Sequence, residues 1–223
     1  MSEFVLYQDD YLLAVNKSAG LATVPGGWER DAPSLVKLLE ADSGRLWIVH
    51  RLDKVTSGVV VYARTAEAHQ TLSLLFESHA VVKTYHAIVV GVPKWDEHTA
   101  RHPLRLNMGH SHRTVVDHSR GKPSGTSFRV LERFSGYSLL EAVPATGRTH
   151  QVRVHAYALG FPLLGDTLYG APGIDLISRP ALHAYSLRFE FEGKPFSFTA
   201  PYPDDLTQAL QQLRAGLHGS FER

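Results

Sequence analysis

The chain has 223 residues, 43% hydrophobic and 20% charged, a balance typical of a globular protein long enough to bury a substantial core. It has no cysteine, which excludes disulfides, thiolate nucleophiles and cysteine-ligated zinc or iron–sulfur centres. No apolar run reaches bilayer length, and the opening MSEFVLYQDD lacks a basic region leading into an apolar one, so a cytoplasmic protein is expected. In chain order, EFVLY and YLLAVNK flank Asp9-Asp10 and predict two strands around a turn. Leu21 to Trp28 is broken by Pro and Gly and reads as loop. Ser34 to Glu40 carries Leu35, Leu38 and Leu39 at helical spacing, after Asp31 and Pro33 as start signals. Gly58 to Ala63 is an apolar run suited to a buried strand, and Ala66 to Val81 puts Leu72, Leu75, Phe76 and His79 on one side of a helix.

KTYHAIVVG then alternates as a strand ending at Gly91-Val92-Pro93, and a loop-rich stretch follows. HRTVVDH, TSFRVLERF and YSLLEAVP are three further strands. His150 to Leu159 is a short helix stopped by Gly160 and Pro162. LHAYSLRFEFEG and KPFSFTAP predict a hairpin around Gly193-Lys194, and Leu206 to Leu217 a closing helix. With no repeat, low-complexity stretch or long linker, a single α+β domain over residues 1–223, on an antiparallel or mixed sheet, is expected.

The net charge is only +1, but its distribution is uneven. Between Ala100 and His155 lie nine Lys and Arg (Arg101, Arg105, Arg113, Arg120, Lys122, Arg129, Arg133, Arg148, Arg153) against Asp117, Glu132 and Glu141. A surplus of this kind marks a phosphate-binding face, or equally a solvated loop region balanced in space by acids from elsewhere.

Asp53, in HRLDKVTSG, sits on a loop just before a buried strand, where a sheet edge can form a cleft. Taken alone it reads first as a turn residue bonding amides near Thr56 and Ser57. Ser57 lacks the surroundings of a nucleophile, since T-S-G is not a G-x-S-x-G elbow. In residues 144–170, Thr149 is a candidate N-cap, and His150, Arg153 and Tyr157 share a helix face opposite Val152, Ala156 and Leu159. Arg148, His150 and Arg153 at that helix start supply donors for phosphate or carboxylate, or line a solvated basic side. Tyr85 shares a strand face with Ala87 and Val89 and is either core or a ring with a polar task. His110, His112, Asp117 and His118 match no familiar ligand spacing, and GKPSG lacks the upstream glycine of a phosphate loop.

Together the blocks resemble the RluA-type pseudouridine synthases. VHRLDKVTSGVVVYA is similar to the family's H-R-L-D-x-x-T-S-G signature, YLLAVNKSAGL to its early N-K-P-x-G segment, and KTYHAIVVG to its K-x-Y-x-A-x-V-x-G strand. TGRTHQVRVHAYALGFPLLGDTLYG resembles the G-R-T-H-Q-x-R-x-H block, and Ala181-Leu182-His183-Ala184 the late L-H-A. Five ordered blocks, from about Phe4 to Pro201, are specific in a way no single one is. Ser18 departs from the pattern, standing where the family has proline, which would stiffen the turn. No added N-terminal RNA-binding domain of the S4 type is expected.

The resemblance implies a pseudouridine synthase fold, a mixed and mostly antiparallel sheet with flanking helices and a central RNA-binding cleft. It implies Asp53 as the essential carboxylate, Arg148 as its basic partner, Tyr85 as the ring stacked on the target base and Leu182 as the apolar wall opposite. Arg51 is implicated in displacing the target nucleotide. The reaction breaks N1–C1′ of uridine, turns the uracil and joins C5 to C1′, so no cofactor and no metal are implied. A base inside structured RNA must be extruded, at a few kcal/mol, offset by stacking worth about 1–3 kcal/mol. The expected partner is therefore structured ribosomal or transfer RNA, with Arg101, Arg105, Arg113, Arg120, Lys122, His150 and Arg153 as backbone contacts. A monomer with no obligatory protein partner and no membrane association is expected. The rival reading is a non-catalytic RNA-binding or RNA-folding protein on the same scaffold. Glycoside hydrolysis ranks far behind, because it needs two opposed carboxylates and the only other acid in these blocks, Asp166, sits among glycines as a structural residue.

Overall fold

The structure is a computed structural model, in which residues 4–26, 32–106, 113–170 and 176–217 are described. Strands β1 (Val5–Gln8) and β2 (Leu12–Lys17) precede helix α1 (Leu35–Ser43), and then come β3 (Trp47–Ile48), β4 (Ser57–Ala63) and helix α2 (Ala66–Glu77). Six strands follow: β5 (Val82–Val90), β6 (Glu97–Ala100), β7 (Leu104–Leu106), β8 (Thr114–Val116), β9 (Thr126–Arg133) and β10 (Tyr137–Pro144). Helix α3 (Gln151–Ala158) and a 3-10 turn (Thr167–Tyr169) lead to β11 (Leu182–Phe191), β12 (Lys194–Thr199) and helix α4 (Asp204–Arg214).

The chain divides into two compact units, one of residues 1–83 and 184–201, the other of residues 84–183 and 202–223. In the first, β1, β2 and β4 pair antiparallel in that order, β3 pairs with β4, and β11 with β12. The runs LLAV and VVYA are fully buried at every residue, because β2 and β4 are covered on both faces, which explains why they do not alternate with polar residues. Leu12, Ala14, Val59, Val61 and Ala63 pack with Leu72 of α2 and with Phe189, Phe191 and Phe198. The β1–β2 turn is built by Asp9, whose Oδ1 accepts from the N–H groups of Tyr11 (2.8 Å) and Leu12 (2.6 Å).

In the second unit β5, β10, β9 and β6 pair antiparallel in that order, and β7 and β8 form a separate hairpin. Alternation along β5 sorts the core into two layers. Ala87 and Val89 pack with Val152 and Ala156 of α3, while Ile88 packs with Leu206, Leu210 and Leu213 of α4.

Several boundaries differ from the sequence expectation. Helix α2 stops at Glu77 rather than Val81 because His79 adopts a left-handed conformation (φ 60°). The N–H groups of His79 and Ala80 then close on the carbonyls of Phe76 (3.3 Å) and Leu75 (2.9 Å). The β11–β12 turn is Glu192-Gly193, with both φ values positive (51° and 72°), one residue earlier than expected. Strands β3, β6 and β7 occupy stretches without a strand expectation. They are two, four and three residues long and exist by pairing with β4, β9 and β8.

Candidate active site and basic surface

The loop carrying Asp53 is braced from three sides within the first unit. His50 stacks on Phe76 (ring centroids 4.5 Å apart, planes 16° apart), and its Nε2 accepts from the N–H of Val61 at 2.9 Å. Burial, and then the charge of Lys83, push the His50 pKa down to about 3, which keeps the ring neutral and able to accept. Thr23 clamps Leu52: its hydroxyl donates to the Leu52 carbonyl (2.9 Å) and accepts from the Leu52 N–H (3.1 Å). Lys17 is fully buried, and its ammonium donates to the carbonyls of Ser18 (2.9 Å), Leu21 (2.7 Å) and Lys54 (3.2 Å). The bond from Gly20 N–H to the Lys54 carbonyl (2.8 Å) adds to this. Ser18 therefore lies in a turn fixed by hydrogen bonds rather than by a proline ring.

The loop ends in a turn closed by Thr56 N–H donating to the Asp53 carbonyl at 3.0 Å. Asp53 is half-buried, Arg51 exposed, and Ser57 only 1% exposed, which suits a structural residue better than a nucleophile. Gly58 follows at φ +116°, where an added Cβ would lie 2.2 Å from the Ala184 carbonyl oxygen. Only glycine permits that approach of the backbone, which ties the T-S-G and L-H-A blocks to one another.

Tyr85 and Leu182, separated by almost a hundred residues in sequence, belong to one apolar cluster of the second unit, together with Ala87, Ala142 and Val152. Tyr85 is half-buried on β5 opposite Ala142 of β10, and Leu182 is 4% exposed. The backbone around Leu182 is held by Arg179, whose Nη1 donates to the carbonyls of Pro180 (3.1 Å) and Leu182 (3.2 Å). Its Nε and Nη2 engage Asp205 at the start of α4 (2.6 and 2.9 Å). Sequence reasoning missed Arg179 and Asp205. An arginine three residues before Leu182, with an acid in the first turn of the last helix, was the available signal.

Helix α3 starts one residue later than expected, with His150 rather than Thr149 at the cap, in a left-handed conformation (φ 54°, ψ 20°). The cap makes no side-chain hydrogen bond to the helix, and Gln151 instead fixes the turn before it: its Oε1 accepts from Arg148 N–H (3.1 Å) and the Thr146 hydroxyl (2.5 Å). Its Nε2 donates to the Gly125 carbonyl (2.8 Å). His150 Nδ1 is 3.0 Å from the Tyr169 hydroxyl. Arg153 departs most from expectation. Its side chain is 5% exposed and makes a bidentate pair with Asp166 (2.7 and 2.8 Å), itself 1% exposed. Its guanidinium is thus enclosed and paired inside the protein, and the backbone contact expected of it is withdrawn. Asp166 is structural, as its glycine neighbours suggested.

Other cations come together. Arg105, Arg120, Lys122 and Arg148, drawn from three separate segments, line one cavity of about 380 Å³ with Thr114 and Thr149. Asp117 organises its rim: it accepts from the Ser119 hydroxyl (2.8 Å) and the Arg120 N–H (2.9 Å) and pairs with Arg105 (2.6 Å), which in that order hold its carboxyl well below the usual range. Arg101 lines a neighbouring cavity of about 510 Å³ with Pro103 and Pro123. Arg113 lies instead over the rings of Tyr169 (4.8 Å) and Tyr157 (5.4 Å). His110 and His112 fall outside the described residues, and among the described residues no three His, Asp or Glu converge as metal ligands.

A family profile described as RNA pseudouridylate synthase matches residues 11–158. The ribosomal large subunit pseudouridine synthase D of Nitrosomonas europaea is 36% identical over 98% of this chain and 67% of its own length. The ribosomal large subunit pseudouridine synthase C of Vibrio vulnificus is 34% identical over 96% of this chain and 70% of its own. Among solved structures, human RNA pseudouridylate synthase domain containing 4 superposes with a TM-score of 0.79 at 28% identity, covering 96% of this chain and 94% of the other. Motif order, fold and these matches agree: the chain belongs to the RNA pseudouridylate synthase family, the isomerases that turn uridine in RNA into pseudouridine.

Proposed function

We propose that this chain isomerises specific uridines of ribosomal RNA, the substrate in the names of its relatives, with Asp53 as the catalytic carboxylate. The observation that carries the reading is the Asp53 loop, held by Lys17, Thr23 and His50 through bonds that leave a half-buried carboxylate at a fixed place. Preorganisation of this kind is what a charged group needs to act on a sugar. The reaction keeps its own atoms: N1–C1′ breaks, the uracil turns, C5 joins C1′, and the proton lost from C5 is balanced by one gained at N1. A carboxylate serves by attack on C1′ or by removing the C2′ proton.

Tyr85 and Leu182 take the base faces, Arg51 handles the extruded nucleotide, and Arg148 supplies the positive charge that keeps the carboxylate ionised. Arg101, Arg105, Arg113, Arg120, Lys122 and His150 serve the RNA backbone, with Arg105, Arg120 and Lys122 best supported by their shared cavity. No helix among the described residues is long and apolar enough to cross a membrane. We place the protein in the cytoplasm, where ribosomal RNA is met, as a monomer acting without an obligatory protein partner. The whole chain works as one catalytic domain, since each unit is assembled from two separate segments.

The test is incubation with total RNA from cells lacking the protein, followed by mapping of new pseudouridines as carbodiimide adducts. New sites are expected with the native chain and none with Asp53→Asn. Binding without any new site would favour the non-catalytic reading, and an active Asp53→Asn would overturn the role of Asp53.

A further inference from the structure

We infer that residues 101–106, 120–125 and 146–149 form a subsite for a nucleotide of the strand other than the target uridine. In it a backbone phosphate sits among Arg105, Arg120 and Lys122, and the attached base lies against Pro103, Pro123 and the guanidinium plane of Arg101. The inference rests on the reading that the substrate is RNA. It changes the part assigned to Arg101, from a phosphate contact to a planar surface for a base.

The basis is the way two cavities share three chain segments. The cationic one, of about 380 Å³, takes Leu104, Arg105 and Leu106, then Arg120 and Lys122, then Gly147, Arg148 and Thr149. The other, of about 510 Å³, takes Arg101 and Pro103, then Pro123, Ser124 and Gly125, then Thr146. The change from one to the other occurs between adjacent residues in all three segments: Pro103 to Leu104, Lys122 to Pro123, and Thr146 to Gly147. A cationic hollow adjoining one walled by prolines is complementary to a ligand with an anionic end and a flat, weakly polar end on a short tether. A nucleotide of a polynucleotide strand has that form. Arg105, Arg120 and Lys122 remain net positive together, because among the described residues Asp117 is the one acid seen bonded to them.

The backbones of the three segments are also tied to one another. Leu104 and Lys122 exchange both backbone hydrogen bonds (2.9 and 2.8 Å), and the Ser124 hydroxyl donates to the His102 carbonyl (2.7 Å). The Gly125 carbonyl accepts from Ala145 N–H (2.9 Å) and from Gln151 Nε2 (2.8 Å). Gly121 lets two of these segments touch backbone to backbone, since a Cβ there would stand 2.3 Å from the Asp117 carbonyl oxygen and 2.7 Å from the Pro103 carbonyl carbon. Little backbone ordering is left to occur when a strand binds, and the exposed arginine and lysine side chains are what settles on it.

The test compares two ligands by fluorescence anisotropy: a nine-residue oligouridylate, and a phosphodiester of equal length with abasic sugars. The ratio of their dissociation constants isolates the base. Arg101→Lys keeps the charge and removes the plane, so the ratio is expected to fall about fivefold, the fold-change of an exposed stacked cation, with abasic binding unchanged. Pro123→Gly provides an independent check and should lower the ratio in the same sense. Arg120→Glu with Lys122→Glu should weaken both ligands alike, by at least about tenfold, and reduce the salt slope. An unchanged ratio in both Arg101→Lys and Pro123→Gly would overturn the base subsite. So would a nine-aspartate peptide that competes as well as the oligouridylate. Pseudouridine formation is scored separately: a chain that makes none yet shows the lost ratio keeps the subsite and loses the enzyme reading, and the reverse pattern does the opposite.

Discussion

Arg153 separates an inward structural role from an outward RNA contact, and Arg153→Met puts the two in opposition. The guanidinium makes two charge-assisted bonds to Asp166 and lies 5.1 Å from the centre of the Tyr169 ring, with both charged side chains almost fully enclosed. Removing the arginine leaves the Asp166 carboxylate buried without its partner, a change that costs about 3–5 kcal/mol. For a chain of this length that lowers the melting temperature by about 10 °C, from roughly 2–4 °C per kcal/mol. Methionine fills most of the vacated volume, so the loss reports on charge rather than on a cavity. Adding Asp166→Leu removes the orphaned carboxylate and should recover most of the stability. Thermal unfolding of the single and double variants gives the energies, and filter binding at several salt concentrations gives the number of phosphate contacts. The salt slope should match that of the native chain in the double variant. If Arg153→Met unfolds at the native temperature and its slope drops by about one contact, near 0.9 on duplex RNA-like charge density, then Arg153 faces RNA and the inward role is wrong.

Other outcomes follow from the loop and sheet around Asp53. Gly58→Ala places a methyl against the Ala184 backbone at a φ that disfavours side chains, and should destabilise by about 2–4 kcal/mol in urea titrations; a loss under about 0.5 kcal/mol would deny the close approach. Lys17→Met takes the ammonium from the Lys54 carbonyl of the Asp53 loop and from the Ser18 and Leu21 carbonyls of the adjoining turn, and should lower turnover more than RNA affinity; equal losses in both would mean the brace does not position Asp53. His50 has a folded pKa of about 3, below the ordinary 6.5, so the unfolded chain takes up its proton first. Its contribution is therefore complete above about pH 6.5 and is lost as the pH falls towards 3, by at most about 1.4 kcal/mol per pH unit. Urea midpoints measured from pH 7 to pH 4.5 should fall more steeply for the native chain than for His50→Asn, and parallel curves would contradict a neutral buried imidazole.

The sequence alone carried the longer elements and the family. The apolar runs of β2, β4 and β5 and the leucine spacing in α1 and α4 are local signals, because burial of a face or of a whole strand imposes a period on neighbouring residues. Motif order likewise survives in one dimension, so Asp53, Tyr85, Arg148 and Leu182 could be named from their blocks. Tertiary contact decided the rest. Strands β3, β6 and β7 have too few residues to declare themselves and exist through partners elsewhere in the chain. The basic stretch divided in space, with Arg105, Arg120, Lys122 and Arg148 in one cavity, Arg101 beside prolines, Arg113 over two rings and Arg153 turned inward onto Asp166. Composition sums charges without direction. Whether an arginine meets solvent, a ring or a carboxylate depends on side-chain orientation and on the long-range partner that the fold brings to it.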